Sequence, residues 1–294
     1  MKIVVTVPAY NEEKTIGSVI NDVKSAMDEA KYEYQILVVD DGSKDSTAET
    51  AKKAGAIVYS HPKNYGLAEA FKTEVQKCLE MGADVIVHTD ADGQYLAKEI
   101  PLLIKEVESG ADLVLGSRFK GKIESMPLIK KLGNRAFSAV VSQVTSLKIT
   151  DAQTGFRAFT KEVAKKIPII STHTYTQEQI IRAVKQKFKI VEVPVYFAKR
   201  KEGKSRLMRN PFDYAVKAGI NLLRIYRDYE PLKFFGYVGG LFIIVGILSG
   251  IFIIKTFLQT GAVGGVPRVV LSALFIMTGL QILLFGFLAD MNTK

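Results

Sequence analysis

Asp90 and Asp92 stand one residue apart in the stretch DVIVHTDADGQY, residues 84–95. Apolar residues lead into the pair and a glycine follows it. Two like charges this close repel, and neither is easily buried without a partner. One reading is a solvated turn, because Asp and Gly are ordinary turn residues. The other is a divalent cation held by the carboxylates. The chain has one Cys and three His, so no Cys/His cluster supports zinc. Carboxylate oxygens suit a hard cation such as Mg²⁺ or Mn²⁺. Mg²⁺ typically takes one or two carboxylates together with substrate phosphates, so the metal reading implies a nucleotide diphosphate. Other chemistries lack their signatures: there is no G-x-G-x-x-G after the first apolar run, no G-x-x-x-x-G-K-[ST] and no G-x-S-x-G elbow.

Such carboxylates need strands to present them, and the first 120 residues alternate accordingly. KIVVTVP, YQILVVDD, AIVYS, DVIVHTD and DLVLGS read as strands. Between them EEKTIGSVINDVKSAMDEA, DSTAETAKKAG, GLAEAFKTEVQKCLEMG and KEIPLLIKEVESG read as helices. Strands alternating with helices predict an α/β fold with a parallel sheet and crossover helices. Ligands of such sheets bind past the carboxyl ends of the strands. Those ends carry PAYNEE, DDGSKDS, HPKNYG, TDADGQ and GSRFKG, all polar, and this is where the site is expected.

The next ninety residues are less regular. MPLIKKLGNRAFSAVVSQVTSL reads as a helix, DAQTGFRAFT as a loop into a strand, TQEQIIRAVKQK as a helix and KIVEVPVYFAK as a strand. Residues 199–209 form a basic segment with six Lys or Arg. PFDYAVKAGINLLRIYRDY has polar residues at 213, 217, 221, 224 and 228, about one turn apart, which predicts an amphipathic helix. Beside a membrane span such a helix lies in the interface; packing on the preceding domain is the alternative. Residues 234–254 and 269–289 are two runs without a charge, each long enough to cross a bilayer, joined by a loop of about a dozen residues. The expected organisation is therefore a catalytic domain over 1–210, an amphipathic juxtamembrane helix over 211–231, and two transmembrane helices within 232–294.

The apolar start of the chain is too short for a secretory signal peptide. Arg224, Arg227 and Lys233 flank the first span, while the intervening loop holds only Lys255 and Arg268. This bias places the catalytic domain on the cytoplasmic side of a two-span membrane protein. The lone Cys78 allows no intrachain disulfide and suits helix packing. A net charge of +10 fits an anionic membrane surface or a phosphorylated substrate. No nucleic-acid motif accompanies it.

PAYNEE at 8–13, VVDDGSKDST at 38–47, TDADGQ at 89–94 and GSRF at 116–119 resemble family 2 glycosyltransferases of the GT-A fold, in order and spacing as well as wording. DAQTGFRAF at 151–159, VEVPV at 191–195 and EGKSRL at 202–207 resemble the dolichyl-phosphate mannose synthase group and its polyprenyl-phosphate hexosyltransferase relatives. The resemblance spans about residues 1–230 and implies roles by position. Pro8, Ala9, Tyr10 and Glu12 line the nucleotide pocket, and Asp40 and Asp41 reach the base or ribose. Asp90, Ala91 and Asp92 take the diphosphate and its Mg²⁺ or Mn²⁺, with Gln94 beside the metal. Arg118 faces the donor sugar or the phosphates; Arg135, Lys204 and Arg206 hold the acceptor phosphate.

The implied reaction is metal-dependent, inverting transfer of a hexose from a GDP-mannose or UDP-glucose type donor to a polyprenyl or dolichyl phosphate. A phosphomonoester already carries about 1.5 to 2 negative charges at pH 7, so it needs holding rather than deprotonating. Arginine suits that task. If a base is needed, Glu178 is the spare carboxylate. The alternatives are transfer to a lipid-linked saccharide or another hydroxyl acceptor, and a membrane-anchored nucleotide-sugar binding protein without activity. A processive polysaccharide synthase carries a Q/R-x-x-R-W signature, and this chain has no Trp.

Overall fold

The computed structural model describes residues 1–170, 175–200, 211–263 and 265–291, with the side chains at 211–215, 217 and 218 outside that description. The described chain divides into two compact units, Met1–Pro211 and Phe212–Lys294.

In the first unit seven strands form one sheet: β1 (Ile3–Ala9), β2 (Tyr34–Asp40), β3 (Ile57–Ser60), β4 (Val85–His88), β5 (Leu113–Ile123), β6 (Arg157–Thr160) and β7 (Ile190–Phe197), in the order β3-β2-β1-β4-β6-β5-β7. β1 to β4 pair in parallel, as do β5 and β7. β1, β2 and β4 are buried on both faces, which is why they read as near-continuous Val/Ile/Leu runs, whereas the edge strand β3 is largely exposed. Helix α1 (Ile16–Glu29) buries Ile16, Ile20, Val23 and Met27 at helical spacing, and α4 (Ile100–Glu108) buries Ile100, Leu103, Ile104 and Val107. The remaining helices of this unit are α2 (Thr47–Lys53), α3 (Leu67–Glu80), α5 (Leu128–Thr145), α6 (Lys161–Lys166) and α7 (Thr176–Lys185). Cys78 is fully buried on α3, where it packs as a small hydrophobe.

The sheet is mostly parallel, with one strand reversed. β6 lies between β4 and β5 and is antiparallel to both. The segment from α5 to residue 156 returns the chain to the sheet edge that β5 left, so α5 is not a crossover. The start of β6 therefore sits beside the end of β4, with Arg157 opposite His88. β5 also runs past the expected Ser117, with a register break against β7 between Ser117 and Lys122. Such a break re-aims side chains beside it, and Arg118 sits within it.

The second unit holds α8 (Pro211–Tyr229), α9 (Pro231–Thr260) and α10 (Val266–Met291). On α8, Val216, Ile220 and Leu223 are exposed at helical spacing. α9 and α10 pack as a hairpin along glycines: a methyl group at Gly279 would lie 2.7 Å from the carbonyl oxygen of Gly239. Ser272 donates to the Gly246 carbonyl at 2.7 Å. This is the small-residue contact typical of helices that associate without a hydrophobic drive. Both helices outrun the charge-free stretches, and the connection is 261–265 rather than a dozen residues. Lys255 and Arg268 both fall within the helices, near the ends that face the connection. Gly261, at φ +69°, supplies the left-handed residue that ends α9.

Candidate active site

The loops after β1 and β2 are stitched together. The Asn11 amide donates to Ser43 Oγ at 2.8 Å, and the Lys44 amide donates to Asn11 Oδ1 at 2.8 Å. The Glu12 amide donates to Thr47 Oγ1 at 2.8 Å, and the Asp41 amide to the Ala9 carbonyl at 2.8 Å. PAYNEE and DDGSKDST are thus one surface. Pro8 and Ala9 close β1; Tyr10 and Glu12 are half-buried at its mouth. Glu12 Oε2 also accepts from Thr15 Oγ1 at the start of α1.

Asp40 and Asp41 are both buried but differ in task. Asp40 Oδ1 accepts from the Ser43 amide at 3.1 Å, closing the tight turn after β2. Asp41 accepts from His61 Nδ1 at 2.8 Å and from the Tyr65 and Gly66 amides at 2.9 and 2.8 Å. Its carboxylate therefore anchors the loop after β3. That loop presses so closely on Gly42 that a Cβ there would lie 2.4 Å from the Lys63 carbonyl carbon.

Asp90 and Asp92 follow β4 directly. Asp92 Oδ1 accepts from the Gln94 amide at 3.0 Å, and Asp92 Oδ2 pairs with Arg200 Nη2 at 2.5 Å. Gln94 is tied to the end of β7: its Nε2 donates to the Ala198 carbonyl at 3.0 Å, and its own carbonyl accepts from the Ala198 amide at 2.8 Å. Desolvation, and then the charge of Asp92, push the Asp90 carboxyl up to about 6, against the pull of His88, Arg118 and Lys130. A methyl group at Gly155 would come within 2.9 Å of Asp90 Oδ1, so the glycine leaves the room this carboxylate occupies. Among the described residues no three His, Cys, Asp or Glu converge as a metal cage. Two carboxylates with open positions left for phosphate and water suit Mg²⁺ or Mn²⁺ and fit no Zn²⁺ site.

Arg118 is held by Asp151 in a buried fork, Nε to Oδ2 at 2.6 Å and Nη2 to Oδ1 at 2.8 Å, and its amide donates to the same carboxylate at 3.0 Å. Asp151 is fixed in turn, because Glu192 on β7 accepts from the Thr150 and Asp151 amides at 2.8 and 3.0 Å. With the Asn134 amide oriented to suit its neighbours, its oxygen accepts from Arg118 Nη2 at 3.2 Å. One turn earlier on α5, Lys130 has its ammonium pKa lowered by burial and by Arg118, against the pull of Asp90 and Asp92.

The structure brings together Glu12, Asp90, Asp92, Gln94 and Arg118 of the sequence-predicted residues. Arg135, also on α5, is exposed and stacks at 5.5 Å over Phe119, the residue after Arg118. Lys204 and Arg206 lie outside the described residues. Glu178 is buried and accepts from Arg182 Nε at 2.7 Å and from the Ile170 amide at 3.0 Å. Sequence reasoning assigned no role to Asp151, Glu192, Lys130 or Arg200. The signal available for Lys130 was its spacing of four from a buried polar residue on a helix; for Asp151 it was the one carboxylate of the DAQTGFRAF motif.

Residues 4–168 match the family described as Glycosyl transferase family 2. A UDP-N-acetylglucosamine–dolichyl-phosphate N-acetylglucosaminyltransferase of Methanococcus voltae is 33% identical over 213 residues, covering 64% of this chain and 82% of the relative. A dolichol-phosphate mannosyltransferase of Pyrococcus furiosus is 32% identical over 281 residues, covering 91% of this chain and 74% of the relative. Among solved structures, glucosyl-3-phosphoglycerate synthase from Mycobacterium tuberculosis, in complex with Mn²⁺, UDP-glucose and phosphoglyceric acid, is similar with a TM-score of 0.58. Identity there is 21%, over 75% of this chain and 79% of that one, and the likeness is one of fold, the GT-A-like sheet.

Proposed function

The chain belongs to glycosyltransferase family 2, and on that premise we propose that it transfers a hexose from a GDP-mannose or UDP-glucose type donor to a polyprenyl or dolichyl phosphate. The observation that carries this reading is the meeting of cations with the paired aspartates. Arg118 and Lys130 act on Asp90, and Arg200 on Asp90, Asp92 and Glu12. Two substrates that both carry phosphate need several cations in one place. The names of the relatives from Methanococcus voltae and Pyrococcus furiosus support dolichyl phosphate as the acceptor class. Glu178, the spare carboxylate, is committed to Arg182, which suits an acceptor that needs no base.

In this reading Pro8, Ala9, Tyr10, Glu12 and Asp40 line the nucleotide pocket, and Asp41 shapes it by anchoring the loop over Gly42. Asp90 and Asp92 would hold Mg²⁺ or Mn²⁺ with Gln94 beside them, and a cation there would supply Lewis-acid neutralisation of the diphosphate. Arg118, kept rigid by Asp151, faces the donor phosphates. Arg135, Lys204 and Arg206 hold the acceptor phosphate for attack on the far face of the anomeric carbon. A single displacement of this kind inverts the configuration. Residues 1–210 are the catalytic domain, on the cytoplasmic face; 211–231 lie in the membrane interface; 232–294 supply two spans. An 18-residue stretch within each of the two helices has a mean hydropathy of 2.5 and 2.2 respectively, which supports that placement.

Turnover in liposomes tests the proposal. Labelled GDP-mannose, UDP-glucose and UDP-N-acetylglucosamine are each offered with a short polyprenyl phosphate and Mn²⁺ or Mg²⁺. The expected result is label in the lipid phase with one donor and none with D92A. No transfer from any donor, alongside metal-dependent nucleotide binding, overturns the acceptor.

A further inference from the structure

Beneath Asp90 lies a layer of polar side chains that the reaction above does not use. His88 ends β4 and is fully buried. Its Nδ1 meets Glu74 Oε2 of α3 at 2.7 Å, and its Nε2 meets the Tyr175 hydroxyl at 2.8 Å. Glu74 is also fully buried and Tyr175 nearly so. Tyr175 is sandwiched, stacked on Phe71 at 3.8 Å with the Arg157 guanidinium 5.3 Å over its ring. Arg157 is fixed by Gln179 Oε1 at 2.7 Å and by the Thr154 carbonyl. Burying a carboxylate, an imidazole, a phenol and a guanidinium in one core layer is costly, and apolar residues of similar volume pack as well. Packing alone does not account for the layer.

Its geometry is directional. The carboxylate of Glu74 holds the proton on Nδ1, which leaves Nε2 to accept from the Tyr175 hydroxyl. Nε2 then points toward the sheet edge and lies 3.9 Å from Asp90 Oδ1. That is too long for a hydrogen bond, so the ring acts on Asp90 by contact. Gly155 stands against the same carboxylate, and its absent Cβ would lie 2.9 Å from Oδ1. Asp90 Oδ1 thus has the backbone at 155 and the His88 ring as neighbours, and the ring has no freedom because Glu74 and Tyr175 hold both its nitrogens.

We propose that Glu74, His88 and Tyr175 are positioning residues that hold Asp90 in the orientation needed to bind the divalent cation. The inference rests on the metal reading of Asp90 and Asp92. Partners that orient a metal ligand from behind set metal affinity, and their loss costs about 10–100-fold.

The test is Mn²⁺ binding to the full chain in detergent, by electron paramagnetic resonance, with UDP or GDP present. Tyr175→Phe removes one hydroxyl and leaves the stacked ring, and Glu74→Gln keeps the shape of the layer. Both are expected to weaken Mn²⁺ binding about 10-fold, while nucleotide affinity measured in EDTA stays at the wild-type value. Unchanged Mn²⁺ affinity in a folded Y175F overturns the inference, even if the melting temperature drops, because that is the mark of a packing role. Should Y175F not fold, E74Q decides by the same criterion. Wild-type protein that binds no Mn²⁺, with D92A indistinguishable from it, removes the metal reading and the inference with it.

Discussion

Removing the Asp151 carboxylate leaves Arg118 as a buried charge with its fork unfilled. Asp151 is fully buried and Arg118 is 4% exposed, so water does not replace the lost partner. The fork comprises two charge-assisted bonds, at 2.6 and 2.8 Å. Each is worth about 1.5–3 kcal/mol, so about 3–6 kcal/mol is at stake. Breaking one side of a buried ion pair costs about 3–5 kcal/mol, which agrees. D151A is therefore expected to lose about 4 kcal/mol, or about 8–16 °C in melting temperature for a unit of this size. The penalty belongs to the stranded charge rather than to the pair as such. Adding R118M should therefore restore at least about 2 kcal/mol of the loss while turnover stays abolished. The assay is thermal unfolding of the full chain in detergent, followed by near-ultraviolet circular dichroism, for all four members of the cycle. A D151A protein within about 2 °C of wild type, or a double variant no more stable than D151A, refutes the reasoning.

G155A should separate activity from stability. The added methyl would meet Asp90 Oδ1 at 2.9 Å and Oδ2 at 3.2 Å, the free end of a short side chain that can rotate away. Melting should shift by about 1 kcal/mol or less while turnover falls at least about 10-fold, and equal losses in both would contradict this. D41A strands the donors of His61, Tyr65 and Gly66. It should cost about 2–3 kcal/mol and raise the KM for the donor sugar more than that for the acceptor, as read from initial rates with each substrate varied. G279L places a side chain where even a Cβ would lie 2.6 Å from Ile243 Cγ1 and 2.7 Å from the Gly239 carbonyl oxygen. It should destabilise the hairpin by about 1–3 kcal/mol, seen as faster amide exchange over residues 236–250 in liposomes; unchanged exchange would count against the packing described.

What is local or periodic was legible in the residues. Strand and helix order over residues 1–120 followed from near-continuous apolar runs and from helical spacing, because burial on one or two faces is written into consecutive residues. PAYNEE, DDGSKDST and TDADGQ were legible as strand-end loops for the same reason, and the two long apolar helices followed from length and the absence of charge. What joins residues far apart in the chain was decided only by the tertiary structure. The direction of β6 depends on which edge the chain returns to, and that direction sets Arg157 beside His88. The fork between Arg118 and Asp151 spans 33 positions, and the pair between Asp92 and Arg200 spans 108. Adjacent Asp40 and Asp41 are the same residue type, yet alternate side-chain directions after a strand send one to its own turn and the other to the loop after β3. Residue type and spacing specify which groups are available; strand order and register specify which of them meet, because a buried charge is stable only where the fold supplies its partner.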